Sequence, residues 1–317
     1  MKIIPNEIEK IEILTLQDNY IDLVMRDNSD IVERAMPVKE GEIKNSLLAE
    51  HGFSSLVTVS RGNQSRKILF DFGFSAMGAA FNADALGVDL SDVEVTALSH
   101  GHLDHVGGLS ELIRRAGRKE IELIVHPDVF RGPRYSIVGE GRKVKFPEFT
   151  RQKASEAGVS VIETQGPRPL LDGDIVFLGG IPRRTDFEKG APNLIYMKDG
   201  KEIVDDIPDD TSIVANVRGR GLVILSGCAH SGIINTVNYA REITGVTKVF
   251  VIMGGFHLTG PHMAPVIGPT VRCIEEIQPT YVVPTHCTGR NAVMQIERQM
   301  PESFILNMVG TRLTFSA

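Results

Sequence analysis

The run Leu98-Ser99-His100-Gly101-His102-Leu103-Asp104-His105-Val106-Gly107-Gly108 sets three imidazoles and one carboxylate within six consecutive residues, directly after the apolar run 93–98. Core packing gives no reason for that density of polar groups at a strand end, whereas imidazole and carboxylate are ordinary ligands of a borderline divalent ion such as zinc. On an extended or turning segment His100 and His102 project to one side, and Asp104 and His105 reach a second position as the chain enters a helix. The run therefore predicts a centre for one or two divalent ions with His100, His102, Asp104 and His105 as ligands.

Around this run the pattern is that of alternating strands and helices. Residues 93–99 read as a strand, and Leu109, Leu112 and Ile113, at helical spacing and closed by Gly117, read as the helix after it. Upstream, 11–16, 55–59 and 67–71 are short, rich in β-branched or apolar residues and bounded by turn formers, which predicts an N-terminal sheet. Downstream, 121–125 and 174–178 read as strands, and 212–217 with 221–225 as a hairpin around Arg218-Gly219-Arg220. Ser231 is expected to cap a helix running to about Ile243, followed by a strand at 248–253, a helix at 265–277 and a strand at 281–283. Periodicity alone supports an α/β or α+β chain.

The string 99–109, Ser-His-Gly-His-Leu-Asp-His-Val-Gly-Gly-Leu, resembles the metal-binding signature of the metallo-β-lactamase fold superfamily. Leu225-Ser226-Gly227-Cys228-Ala229-His230-Ser231-Gly232, Gly254-Gly255-Phe256-His257-Leu258 and Pro284-Thr285-His286-Cys287-Thr288-Gly289 are similar to a subgroup that includes the dihydropterin-ribofuranosylaminobenzene phosphate synthase family. Near the N-terminus the likeness takes in Asp18-Asn19-Tyr20 and Glu50-His51-Gly52-Phe53-Ser54. The resemblance implies a four-layer αββα sandwich, a single domain over 1–317, and a binuclear site. In it His286 matches the last histidine ligand, Cys228 takes the place of a metal-bridging aspartate, and Asp71 matches a buried aspartate that orients ligands by hydrogen bonding.

Other residues carry two readings each. His230, between an apolar strand and a helix start, is read as a ligand at the same sheet edge as the first cluster. Cys228 is a thiolate ligand or an inert buried thiol, and Cys287 reads as packing. His257 follows two glycines that permit close approach to a ligand and is read as a proton donor or substrate contact. His51, His126 and His262 have weaker claims. The segment that should carry the superfamily's third first-site histidine reads Gly179-Gly180-Ile181-Pro182-Arg183-Arg184 instead. Either His230 or Cys228 completes that site, or solvent fills it and favours a harder ion such as manganese over zinc; iron is a third option. Arg183 and Arg184 bind an anionic substrate group or are solvated. A basic insertion around 131–151, carrying Arg131, Arg134, Arg142, Lys143, Lys145 and Arg151 between glycine breaks, reads as a mobile loop, either a lid over a phosphorylated substrate or plain surface.

Composition limits the classes. With 317 residues, 42% of them hydrophobic, the chain can bury a large core. A net charge of −6 argues against a general nucleic-acid surface. Residues 1–10 contain no long apolar segment, so neither signal peptide nor membrane span is expected, and three unevenly placed cysteines suit reduced thiols in a cytoplasmic protein. A homodimer is a guess without an interface signature. The expected activity is metal-dependent hydrolysis of an ester or phosphorylated small molecule by metal-activated water, with Asp104 and His257 in catalysis. The subgroup implies an alternative, a transferase that releases diphosphate from a pterin-methyl diphosphate. A non-catalytic metal-binding protein is the lesser reading.

Overall fold

The computed structural model describes residues 2–36, 38–43, 45–118 and 120–317. Two sheets face each other. The first runs in the order Val159–Glu163, Ile121–Val125, Val93–Ala97, Gln64–Phe70, Ser54–Arg61, Lys10–Gln17, Arg312–Ser316, Val32–Glu33. The second runs Arg168–Leu170, Ile175–Phe177, Ser212–Val217, Gly221–Ser226, Val249–Gly255, Tyr281–Thr285, with Glu7–Ile8 alongside Ser212–Val217. Side chains that alternate inward along both sheets, among them Ile13, Val57, Phe70, Ile213, Val251 and Phe315, fill the space between them.

The outer faces carry the helices. Gly78–Ala85, Leu109–Ala116 and Arg151–Glu156 cover the first sheet through Ala80, Leu112 and Ala154. Ile233–Thr244, Ala264–Ile277 and Arg290–Gln299 cover the second through Val237, Val271 and Ile296. This is the expected αββα sandwich. The helix Leu109–Ala116 ends as its spacing predicts, on Gly117 in the left-handed region at φ 65°. Among the described residues no helix is long and apolar enough to cross a membrane.

Two expectations change. Ser231 does not cap its helix, which starts after Gly232. The helix N-terminus is held instead by Glu188, whose carboxylate accepts from the backbone N–H groups of Ile234 and Asn235 at 2.9 Å each. The stretch 131–151 is not an irregular loop. Arg134–Val138 and Arg142–Lys145 form a hairpin, and Leu194–Lys198 and Lys201–Val204 extend it to a four-stranded sheet over the mouth of the sandwich.

Both sheets place parallel strands side by side, Gln64–Phe70 with Val93–Ala97 in one and Gly221–Ser226, Val249–Gly255 and Tyr281–Thr285 in the other. Their C-terminal ends meet at one edge, and Asp71, the run 99–105, and the segments 227–232, 256–258 and 286–289 lie just beyond such ends.

Candidate metal centre

The strand Val93–Ala97 delivers His100, and the short helix Leu103–Val106 turns Asp104 and His105 inward, with His102 at its N-cap. Gly101 is needed between them, because a Cβ there would lie 2.2 Å from the carbonyl oxygen of Val129. From the second sheet come Cys228 and His230, then His257, then His286 and Cys287. Ala229, His257 and His286 all have left-handed backbones, with φ between 45° and 47°, so each loop bends sharply to bring its side chain to the common edge.

The donors gather into groups whose ligand atoms all lie within 4.8 Å of one another: Asp104, His105, Cys228 and His286; His100, Cys228 and His230; His100, His102 and Asp104; and Cys228, His257 and Cys287. His230 brings an imidazole to the side of the centre where the arginine-bearing segment has none. Its ring lies 4.8 Å from that of His100 and 4.9 Å from that of His102, centroid to centroid. Cys228 lies between the two halves, its Sγ 3.1 Å from His105 Nε2.

This donor set suits divalent cations. Among the described residues Nε2 of His100 and of His230 is buried without a hydrogen-bond partner, a costly state that a bound cation relieves. Burial, reinforced by neighbouring imidazoles, holds His100 and His230 well below the usual histidine range, and burial with the nearby Arg134 guanidinium holds His102 at about 3. All three are therefore neutral, the form that ligates metal. The other half is electron-rich. Burial acts to lower His105, but Asp71 and Asp104 outweigh it and raise it to about 9, so this half favours a positive charge.

Orientation comes from hydrogen bonds behind the donors. Asp71 accepts from His105 Nδ1 at 2.6 Å, from the Ser99 hydroxyl at 2.7 Å and from the Ser99 backbone N–H at 2.7 Å, which aims His105 Nε2 at the centre. Gly227 leaves room for this cluster, since a Cβ there would lie 2.1 Å from Ser99 Oγ and 2.5 Å from Asp71 Oδ2. Asp71→Asn keeps the shape and weakens the acceptor; metal affinity, measured against a chelating dye, is expected to fall about 10–100-fold with the fold retained. Unchanged affinity would show that Asp71 does not tune the centre.

Asn19, which carried no role in the sequence beyond a short string, orients two further histidines. Its Oδ1 accepts from Gly52 N–H and from His286 Nδ1, and its Nδ2 donates to the His286 carbonyl and to His51 Nδ1 at 3.2 Å. His286 is thus protonated on Nδ1, leaving Nε2 directed at Asp104 Oδ2, 3.1 Å away. His51 is protonated on Nε2, which lies 3.5 Å from the same oxygen. No local pattern marks an asparagine 267 residues from its histidine.

His102, Asp104, Cys228, His230 and Cys287 floor a cavity of about 510 Å³. Its walls are mostly apolar, with Phe74, Leu103, Phe146, Pro147, Leu194 and Met263 among them, and His51, His257 and His262 also line it. Phe146, from the end of the four-stranded sheet, packs edge-on against His102 at 5.1 Å.

Arg183 and Arg184, expected either to bind an anionic group or to be solvated, lie outside that lining. Arg183 donates to the carbonyls of Asp206 and His230, so it braces the backbone of a ligand; Arg184 is exposed and paired with Glu242. His126 is likewise structural, accepting through Nδ1 from the Asp128 N–H. The basic stretch is largely neutralised. Arg131 pairs with Asp206 at 2.8 Å, Arg134 with Asp205 and Asp209, Lys143 with Glu202, Lys145 with Glu148 at 2.7 Å and Arg151 with Glu163 at 2.6 Å.

A family model described as the Metallo-beta-lactamase superfamily matches residues 49–241, well over half of the chain. The chain is 28% identical over 264 residues to the 7,8-dihydropterin-6-methyl-4-(beta-D-ribofuranosyl)-aminobenzene-5'-phosphate synthase of Methanocaldococcus jannaschii, covering 81% of this chain and 87% of that one. It is 30% identical to an uncharacterized protein of the same organism, covering 83% and 92%. Among solved structures it is similar to Tm1679, described as a metal-dependent hydrolase of the beta-lactamase superfamily. The TM-score is 0.72 at 24% identity, over 97% of this chain and all of that one.

Proposed function

Because the chain belongs to the metallo-beta-lactamase superfamily, we propose that it is a metal-dependent hydrolase cleaving an ester or phosphoester bond in a small molecule with a largely apolar body. The observation that carries this reading is the convergence of His100, His102, His230, Asp104, His105, His286 and Cys228 into adjoining donor groups, of which His102, Asp104, Cys228 and His230 line the apolar-walled cavity. Bound there, divalent cations supply Lewis acidity toward a carbonyl or phosphoryl oxygen and make water nucleophilic near neutral pH. Zinc suits imidazole and thiolate donors best.

The chain's own residues do the rest. Phe146, Leu103 and Phe74 exclude bulk water and seat the apolar body, so the reacting bond faces the floor. Burial, and then His286, lowers His51, which is neutral near pH 7 with its proton on Nε2. That Nε2–H faces Asp104 and the cavity, where it donates a hydrogen bond that stabilises the charge developing on the departing oxygen, which takes up the proton released by the attacking water. No paired arginine is required for an anionic group, since the floor itself attracts one when loaded with metal.

A second reading, group transfer with loss of diphosphate, is supported by the 28% identity to the synthase over most of both chains. One assay separates the two. Metal-free protein, reloaded with zinc or manganese, is offered aryl esters, aryl phosphodiesters and an alkyl diphosphate with and without an arylamine acceptor. Turnover is expected to vanish on chelation and return with metal, in water alone. Diphosphate release that requires the arylamine would replace hydrolysis by transfer, and full turnover by the metal-free protein would overturn both.

A further inference from the structure

We infer that Cys228, Cys287 and His257 form a sulfur-rich ligand set, so that the floor offers two thiolates to a thiophilic divalent cation such as zinc. This rests on the reading of the floor as a metal centre and adds Cys287 and His257 to the ligands.

Cys287 follows His286 directly, and the left-handed turn at His286 swings it back under the floor. Its Sγ comes to 3.1 Å from the Sγ of Cys228, although the two residues lie 59 apart in the chain. Both thiols are buried and unbridged, and both line the cavity. His257 joins them with a ligand nitrogen within 4.8 Å of each sulfur, and its Nδ1 is buried with no hydrogen-bond partner among the described residues.

The backbone around them is shaped to hold the sulfur. A Cβ on Gly255 would lie 2.6 Å from Cys287 Sγ, so only glycine at that position leaves the thiol its place. The Phe256 N–H donates to Thr288 Oγ1 at 3.0 Å, which ties the loop bearing His257 to the one bearing Cys287. Ordinary packing accounts for one buried thiol against an apolar wall. It does not account for two sulfurs and an unpartnered imidazole nitrogen converging beside the other donors. Ligation releases one proton from each thiol to solvent, and the two thiolates select zinc over the manganese that a histidine-poor site would favour.

Cobalt(II) is the probe. Full-length protein, reduced and freed of metal, is titrated with it, and sulfur-to-cobalt charge-transfer absorption is read per bound cobalt. Cys287→Ser and Cys228→Ser are each expected to lose about half of that absorption and the double variant all of it, since each thiolate contributes its own bond. His257→Gln is expected to keep the sulfur absorption and shift the ligand-field bands. Cadmium NMR of the unmodified protein counts sulfur ligands without any substitution, so a poorly folding variant does not decide the matter. Full absorption in Cys287→Ser, or a cadmium shift typical of one sulfur, would overturn the proposal while leaving the metal centre standing. Failure of the unmodified protein to bind cobalt would overturn both. A Cys228–Cys287 disulfide in protein isolated with its metal bound would overturn the proposal alone.

Discussion

His230→Ala is expected to lower turnover by at least about 100-fold and to release metal, while the unfolding midpoint of the metal-free protein hardly moves. Even groups that only orient ligands typically carry about 10–100-fold in affinity or activity, so a ligand carries more. His230 stands with His100 and Cys228 in one donor group, on the side of the centre where the segment 179–184 has arginines in place of a histidine. Its Nε2 makes no hydrogen bond among the described residues, so the substitution forfeits no internal bond through that atom. The backbone is held independently, because Arg183 donates to the His230 carbonyl and Asp210 accepts from the Ser231 N–H at 2.8 Å. Metal content by elemental analysis, turnover and apo-protein unfolding check the three parts together. Full metal content with normal turnover would mean that solvent, not His230, fills that position.

What could be read from the sequence divides along physical lines. The cluster 100–105 was legible because ligand density at a strand end has no packing explanation, and the strands because short apolar or β-branched runs bounded by turn formers, such as 55–59 or 212–217, need only local information; their pairing into two facing sheets came from the resemblance. His230 was legible as a candidate, but its service to the first site becomes visible only when Gly221–Ser226 lies in one sheet and Val93–Ala97 in the other. Cys287 carried no comparable signal, since one cysteine beside a histidine looks like packing, and only the topology sets a second thiol 3.1 Å away. The helix Gly78–Ala85, with the sequence GAAFNADA, carries little amphipathic signal and forms through burial of its alanines on the first sheet. The four-stranded sheet was hidden because Arg142–Lys145 and Lys201–Val204 are exposed and rich in charge, so neither strand shows a buried face. Counting only Glu140 and Glu148 against the basic stretch 131–151 left it unbalanced, whereas its carboxylates come from Glu163, Glu202, Asp205, Asp206 and Asp209.

Arg134→Met is expected to destabilise the protein by about 3–5 kcal/mol near neutral pH, the usual consequence of stripping one partner from a buried ion pair. The guanidinium is 4% exposed and the Asp209 side chain 0%, with the closest N···O distance 2.5 Å, while Asp205 contacts the same guanidinium at 2.9 Å. A lid arginine would face solvent and substrate; this one points into the protein. It also connects the four-stranded sheet to the metal run, because Asp209 Oδ2 accepts from the Gly101 N–H at 2.9 Å, between His100 and His102. The pH dependence follows from Asp209. Burial acts to raise its pKa, yet Arg134 outweighs burial and holds it below the usual carboxylate value. A depressed native pKa contributes stability that is present above the unfolded value of about 4 and is lost as pH falls through the native one. In the methionine variant burial acts unopposed by Arg134, so Asp209 binds a proton more readily and the penalty is largest where the carboxylate must stay charged. Urea unfolding of the two proteins should therefore differ most near pH 7 and converge toward acid. A variant of unchanged stability that instead bound an anionic substrate more weakly would return Arg134 to the lid, and the four-stranded sheet would then be a moving part rather than a strut for the metal-binding run.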